Sequence, residues 1–377
     1  MLKKNISTAA ALIVAVLALS ANMVAQNVLT TATNSSASQA IVGSLSNLPD
    51  ADELIYISPH RVLTEAAPRV LPDADLTKLR AHLSDMKKET GIDPANIDFI
   101  VFQARFKKPT EELNFSLPEY LAVACGDFSA DAILLLIRQA SGAKLRDEKY
   151  GSRTISLLTI PEIAQEAQKN SFLKPLSEIA IATIGGNTIA AGTPAYVRAA
   201  MDAADGKGRI NADILNSLMR DPTALLSTAG SPMLAFAKTF ALLGTENNPR
   251  ASRCDSKLGD FYASITMDAT SFKLRGAMNA DNPDTAKIIK SLLSSLLQQA
   301  TSSIKDQKAQ SVLSSLVITP TETEVLLQAD ISQQAVADFI REQAKPKKQE
   351  VSKPAPAKPA MKSRHRTTRR RPAKSGV

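Results

Sequence analysis

The sequence predicts an α+β fold: two similar units of mainly antiparallel sheet covered by helices, plus disordered ends. Three observations carry this. Short β-type runs come in turn-linked pairs between helical stretches, without the strict strand–helix–strand alternation of a parallel sheet. The outline of strand, two strands, helix, two strands, helix can be written twice along residues 48–343. The two ends differ in composition from everything between them.

At the N-terminus, Lys3 and Lys4 precede an unbroken apolar run from Ala9 to Leu19, followed by Ser20-Ala21-Asn22-Met23-Val24-Ala25-Gln26. A positive patch, a short apolar core and then small residues form the pattern of a secretory signal peptide. Residues 1–25 are read as that signal, cut before Gln26. The apolar run has 11 residues, against about 20 for a membrane-crossing helix. The expected location is therefore the periplasm or beyond. Retention of the segment as an inner-membrane anchor is the alternative. Residues 26–47, rich in Thr, Ser, Ala and Asn, read as a flexible linker.

The first unit is placed at residues 48–230. Leu54 to Ile57 is a short strand, and Arg61 to Val70 a helix that Pro68 limits or kinks. From about Asp75 to Thr90 the apolar positions Leu76, Leu79, Leu83 and Met86 recur at helical spacing, and Gly91 caps the end. Strands follow at Ile97 to Phe106 and Tyr120 to Phe128, then a helix from Ser129 to Gln139 with Ser129 as N-cap. Lys144 to Tyr150 and Ser152 to Ile160 form a hairpin. Ile179 to Ile184 and Thr188 to Ala191 form another, with Gly185-Gly186 supplying the positive φ of a tight turn. Helices open at Pro194 and at Asp213.

The second unit is placed at residues 231–343. Met233 to Phe236, Phe261 to Met267 and Phe272 to Met278 read as strands; Phe272, Leu274 and Met278 share one face. Pro283 starts a helix, with Asp284 in its first turn. Its stripe is Ile288, Ile289, Leu292, Leu293, Leu296 and Leu297. Val312 to Thr319 and Glu324 to Ala329 read as a closing hairpin, and Ser332 to Gln343 as a last helix.

Residues 344–377 are a basic tail rich in Lys, Arg, Pro and Ala, without the apolar content for a core, and are expected to be disordered. Its cations are Lys345, Lys347, Lys348, Lys353, Lys358, Lys362, Arg364, Arg366, Arg369, Arg370, Arg371 and Lys374, against Glu350 alone. That is a net +11. Subtracting it from the chain's +8 leaves −3 for the rest, or −5 once Lys3 and Lys4 are removed with the signal. The basic character belongs to the tail and not to the body. Such a tail binds polyanions through counterion release. Outside the cytoplasm these are anionic envelope polymers or lipid head groups, and no specific nucleic-acid recognition is expected. A solvated tail without a dedicated partner is the alternative.

Enzymatic chemistry has little material. Of the three histidines, His60 sits at a strand-to-helix corner, His82 on a helix and His365 in the tail. None stands at a spacing diagnostic of a triad or metal site. Gly185-Gly186 and Gly206-Lys207-Gly208 lack the context of a phosphate-cradling loop. The acids at Asp50, Asp52 and Glu53 and at Asp147 and Glu148 lack the stacking aromatics of a sugar site: tryptophan is absent and tyrosines number five. No serine stands in Gly-x-Ser-x-Gly. Cys125 lies in an apolar strand-like run and reads as a buried thiol. A disulfide with Cys254 is the alternative an oxidising compartment permits. No cofactor is expected.

The passage Leu48-Pro49-Asp50-Ala51-Asp52-Glu53-Leu54-Ile55-Tyr56-Ile57, with Gly91-Ile92-Asp93-Pro94 before the second strand, resembles a group of uncharacterised exported bacterial proteins of acidobacteria-like lineages. Gly185-Gly186-Asn187-Thr188 ahead of Gly192-Thr193-Pro194 adds to the likeness. The resemblance spans about residues 48–343 and implies export. It brings no activity, ligand or site residues.

The sequence thus points to an exported, non-enzymatic binding or envelope-associated protein with a cationic tail. A periplasmic hydrolase whose site forms no local motif is one alternative, and a carrier or chaperone for an apolar ligand is the other. An apolar cleft would favour the carrier, and convergent titratable groups the enzyme. Protein isolated from its host should begin near Gln26, and N-terminal sequencing checks this; recovery of Met1 would indicate the retained anchor.

Overall fold

Period-two alternation decides the fold, because it sends every second side chain of each strand to the same face of one sheet. In the computed structural model, residues 36–106, 118–141, 145–160, 164–165, 177–231, 258–303 and 307–343 are described. Their strands are β1 (Glu53–Ile57), β2 (Ile97–Phe106), β3 (Pro118–Gly126), β4 (Leu145–Tyr150), β5 (Arg153–Thr159), β6 (Glu178–Gly185), β7 (Thr188–Gly192), β8 (Leu226–Gly230), β9 (Leu258–Met267), β10 (Ser271–Ala280), β11 (Val317–Pro320) and β12 (Glu324–Ser332). They form one sheet in the order β11-β12-β10-β9-β8-β1-β2-β3-β7-β6-β5-β4, and the pairings are antiparallel.

The helices are α1 (Ser36–Leu45), α2 (residues 59–70), α3 (Asp73–Thr90), α4 (Ala130–Ser141), α5 (Pro194–Ala204), α6 (Ala212–Leu218), α7 (Pro283–Ser303), α8 (Gln307–Ser314) and α9 (Gln333–Gln343). Each half runs the same course. A three-strand meander (β1-β2-β3 or β8-β9-β10) leads into a crossover helix, α4 or α7. A hairpin then returns its second strand beside the third strand of the meander, β7 beside β3 and β12 beside β10. Helix α5 or α9 follows. The first half adds the hairpin β4–β5. The halves join through their first strands, with residues 53–57 of β1 paired to residues 226–230 of β8.

One face of the sheet, face A, carries the main core. Leu54, Tyr56, Phe99, Val101, Leu121, Val123, Ile155, Leu157 and Ala229 pack there with Leu45 of α1, Tyr196 and Met201 of α5, and Leu215 and Leu218 of α6. The opposite face, face B, carries a smaller core in the second half, where Met278 and Val325 meet Ala286 and Ile289 of α7. The line of α7 that packs is Ala286, Ile289 and Leu293. Leu292 and Leu296 are only half-buried, and Ile288 is exposed. The apolar stripe read from the sequence is thus wider than the contact it makes.

Several local readings change. Residues 36–45, expected within a flexible linker, form α1, because Leu45 is wholly buried and Ile41 packs on the same core. Pro68 does not end α2: it stands in the last turn, Ala67–Val70, directly behind the irregular π turn Val62–Ala66. The first strand of the second half is Leu226–Gly230; the expected strand at 233–236 lies outside the described residues. Residues 312–314 belong to α8, leaving β11 only four residues. The β6–β7 hairpin forms as expected, but neither Gly185 nor Gly186 has a positive φ. A register shift after Thr183 makes the turn instead. Gly91 does cap α3 in the left-handed region, at φ 72°.

Both outer strands are protected against further pairing. On β4, Arg146 and Glu148 are held by Glu178 and Arg198, and Asp147 by Arg138. On β11, the strand is short and ends in Pro320, whose missing N–H costs an edge strand no ladder partner.

The joint between the halves depends on one glycine. Gly230 has φ 141°, and a Cβ there would lie 2.1 Å from the Asp52 carbonyl oxygen. Gly230→Ala should therefore destabilise the protein by about 1–3 kcal/mol, since the clash is with backbone that cannot give way. Gly186→Ala meets nothing within 4 Å and should change stability by less than about 0.5 kcal/mol. Urea unfolding of the two variants measures the difference.

Candidate binding surfaces

The two faces of the sheet are covered unequally. On β2 and β3, Phe99, Val101, Gln103, Leu121, Val123 and Cys125 are buried on face A. Ile100, Phe102, Ala104, Ala122 and Ala124 on face B are only half-buried, and Tyr120 is 43% exposed. The crossover helices α4 and α7 lie on this same face. Arg138 of α4 reaches Ser156 on it, and α7 packs on Met278 and Val325. Each helix presents a large apolar side chain to solvent, Leu135 at 56% and Ile288 at 49%. Within α4 none of Ile133, Leu134, Leu135, Leu136 and Ile137 is buried. An apolar floor with apolar helices on the same face is a surface suited to contact with another molecule.

The charged groups of the body are largely engaged with each other. Arg105 on β2 is bonded to Glu119 on β3 through Nε at 3.1 Å and Nη2 at 2.5 Å, and its guanidinium stacks 4.5 Å from the centre of the Tyr196 ring. The Tyr196 hydroxyl donates to the Asp50 carbonyl at 2.9 Å. In the second half, Arg220 stacks 4.4 Å from the Tyr262 ring and reaches Glu324 at 3.9 Å. Arg275 pairs with Asp330 at 2.8 Å, and Lys273 with Asp268 at 3.2 Å. These pairs tie strand to strand and helix to sheet; acid–base chemistry would need convergent groups left open to a substrate. Among the described residues no three metal-ligating side chains come together.

The described cleft of the protein lies at the far end of the second half. It has a volume of about 520 Å³ and lies between the C-terminal part of α7, α8 and β11. Leu297, Leu316 and Ile318 form its apolar part; Ser294, Gln298, Thr301, Ser302, Gln310 and Ser314 form the rest. Among the described residues no ionisable side chain lines it.

The residues singled out from sequence are placed as follows. The tail cations from Lys345 to Lys374 lie outside the described residues, as do Cys254 and His365. Cys125 is buried and free. The Nδ1 of His60 donates to the Ala95 carbonyl at 2.7 Å, and His82 is exposed on α3. Sequence reasoning missed Tyr120, Leu135 and the cleft. The unbroken apolar run 133–137 was the available signal, since an amphipathic helix of that length would carry polar residues within it.

All five tyrosines are held above the usual phenol range. Burial is the largest cause at Tyr56, Tyr120, Tyr196 and Tyr262, whereas at Tyr150 it is the bond donated to Asp202. Tyr262 is pushed up to about 12. A group whose pKa is raised by folding contributes stability below its unfolded value of about 10, and loses it as pH rises through the folded value. Spectrophotometric titration of the native protein should thus show phenolate formation shifted above that of denatured protein, most for the buried Tyr196 and Tyr262. Alkaline unfolding should release the tyrosines together.

No protein-family model and no curated protein matches the chain. Among solved structures it is similar to three crystal forms of TP0453. Form III has a TM-score of 0.43 at 10% identity, over 79% of this chain and 97% of that one. Form I has 0.41 at 10%, over 79% and 96%. Form IV has 0.39 at 12%, over 81% and 99%.

Proposed function

We propose that this is an exported, non-enzymatic binding protein of the cell envelope, whose basic tail attaches it to anionic polymers or lipid head groups. The observation that carries this is the separation of charge. The tail holds twelve cations against one acid, and the rest of the chain is net negative. Within the body, arginines and acids meet each other across strands, as in Arg105–Glu119 and Arg275–Asp330. The excess positive charge therefore sits where no partner in the adjoining sequence neutralises it. The half-open apolar face B supports the carrier reading, in which the body holds an apolar partner while the tail holds the surface. The shared strand course of the two halves supports their origin by duplication of one α+β unit, as does the meeting of their first strands at the centre of the sheet.

A chain ending at Ala344 should keep its melting temperature and lose binding to anionic liposomes at low salt. Full-length protein should bind them and be released by a few hundred millimolar salt, roughly as counterion release requires. Vesicle flotation with the two proteins checks this. Equal binding by both would move the site to the body and overturn the reading.

A further inference from the structure

We propose that the cleft between α7, α8 and β11 is a binding site for a neutral, hydroxyl-bearing amphiphile. This rests on the chemistry of the cleft and is independent of the tail. Its volume of about 520 Å³ falls within the roughly 300–1,000 Å³ typical of small-molecule sites. Leu297, Leu316 and Ile318 offer an apolar contact along one side, which suits a short hydrocarbon chain.

The polar side selects the other half of the ligand. Thr301 Oγ1 donates to the Leu297 carbonyl at 2.7 Å, Ser302 Oγ to the Gln299 carbonyl at 2.9 Å, and Ser314 Oγ to the Gln310 carbonyl at 2.8 Å. A hydroxyl has one hydrogen and two lone pairs. With the hydrogen given to the helix, each of these oxygens meets the cleft as an acceptor. Gln310 Nε2 likewise donates to the Thr301 carbonyl at 3.3 Å. These hydroxyls set acceptors beside the amide N–H donors of Gln298 and Gln310, and among the described residues no cation lines the wall. It favours a ligand that donates as well as accepts hydrogen bonds, and disfavours a carboxylate or phosphate, whose charge meets no counter-ion among the described residues. Among the described residues it also lacks an aromatic ring on which a sugar would stack. An alcohol head group on an aliphatic chain meets all of these conditions.

Calorimetric titration of the full-length protein with monooctanoylglycerol, and separately with octanoate, tests this. Monooctanoylglycerol should bind, and octanoate at least about tenfold more weakly, since it leaves the acceptors unmet. Thr301→Val and Ser314→Ala should each weaken monooctanoylglycerol by about fivefold. Both hydroxyls bond only within their own helices, so the melting temperature should hold, and its measurement excludes misfolding. The chain ending at Ala344 should bind as the full-length protein does, which separates this site from the tail. Equal affinity for the two probes, unchanged affinity in both variants, or no binding of monooctanoylglycerol would each overturn the proposal.

Discussion

The rest of the structure depends on the pairing of β1 with β8. Each half is a meander with one edge to spare, and a free edge of unpaired N–H and C=O groups invites association. Joining the two first strands removes both edges at once and makes the sheet continuous. It also aligns the faces. Leu54 stands opposite Ala229, and Ala229 opposite Tyr262, so the core of the first half extends into the second without a change of side. The close approach at Gly230, the bond from Thr228 Oγ1 to the Leu54 carbonyl and the bond from Ser231 to Asp52 all serve this joint.

A second consequence concerns the distribution of helices. α1, α5 and α6 supply the apolar cover of face A, and strand residues beneath them such as Leu54, Val101 and Ile155 are fully buried. Face B has α4 at one side and α7 at the other, with β1, β2 and β3 between. The half-exposed side chains of that stretch, and the unburied apolar run of α4, follow from where the crossover helices are placed. The second core, smaller and built on Ala286, Ile289, Met278 and Val325, is where α7 reaches the sheet. Beyond Leu293 the helix continues toward α8 and the cleft, and Ser, Gln and Thr side chains join Leu296 and Leu297.

Much of this was legible in the sequence, where a local pattern sufficed. The alternation in β2 and β10, the cap at Gly91, the start of α5 at Pro194 and of α7 at Pro283 are set by neighbours in the chain. β8 was not legible. Leu226-Ser227-Thr228-Ala229-Gly230 is short and mixed, and it is a strand because β1 and β9 pair with it on both sides. α1 was missed for a related reason: its composition is that of a linker, and Leu45 is helical because a core lies beneath it. The cleft was invisible since its lining comes from three elements, and the role of its hydroxyls as acceptors depends on which carbonyl each already serves. That the strands form one sheet and not two was also out of reach, because residues 53–57 and 226–230 carry no signal for each other.

The joint at β1 and β8 also orders events in time. Strand β1 acquires its first neighbour, β2, from sequence close at hand, but its second only after residue 226 exists. Contacts between distant residues are delayed by the entropy of closing the chain between them. The first half can therefore assemble β1 to β7 around Tyr196 while one side of β1 stays open. During that interval the middle of the finished sheet is its exposed rim. A strand at the middle of the native sheet is thus the one that waits longest for its second neighbour while the protein is being made.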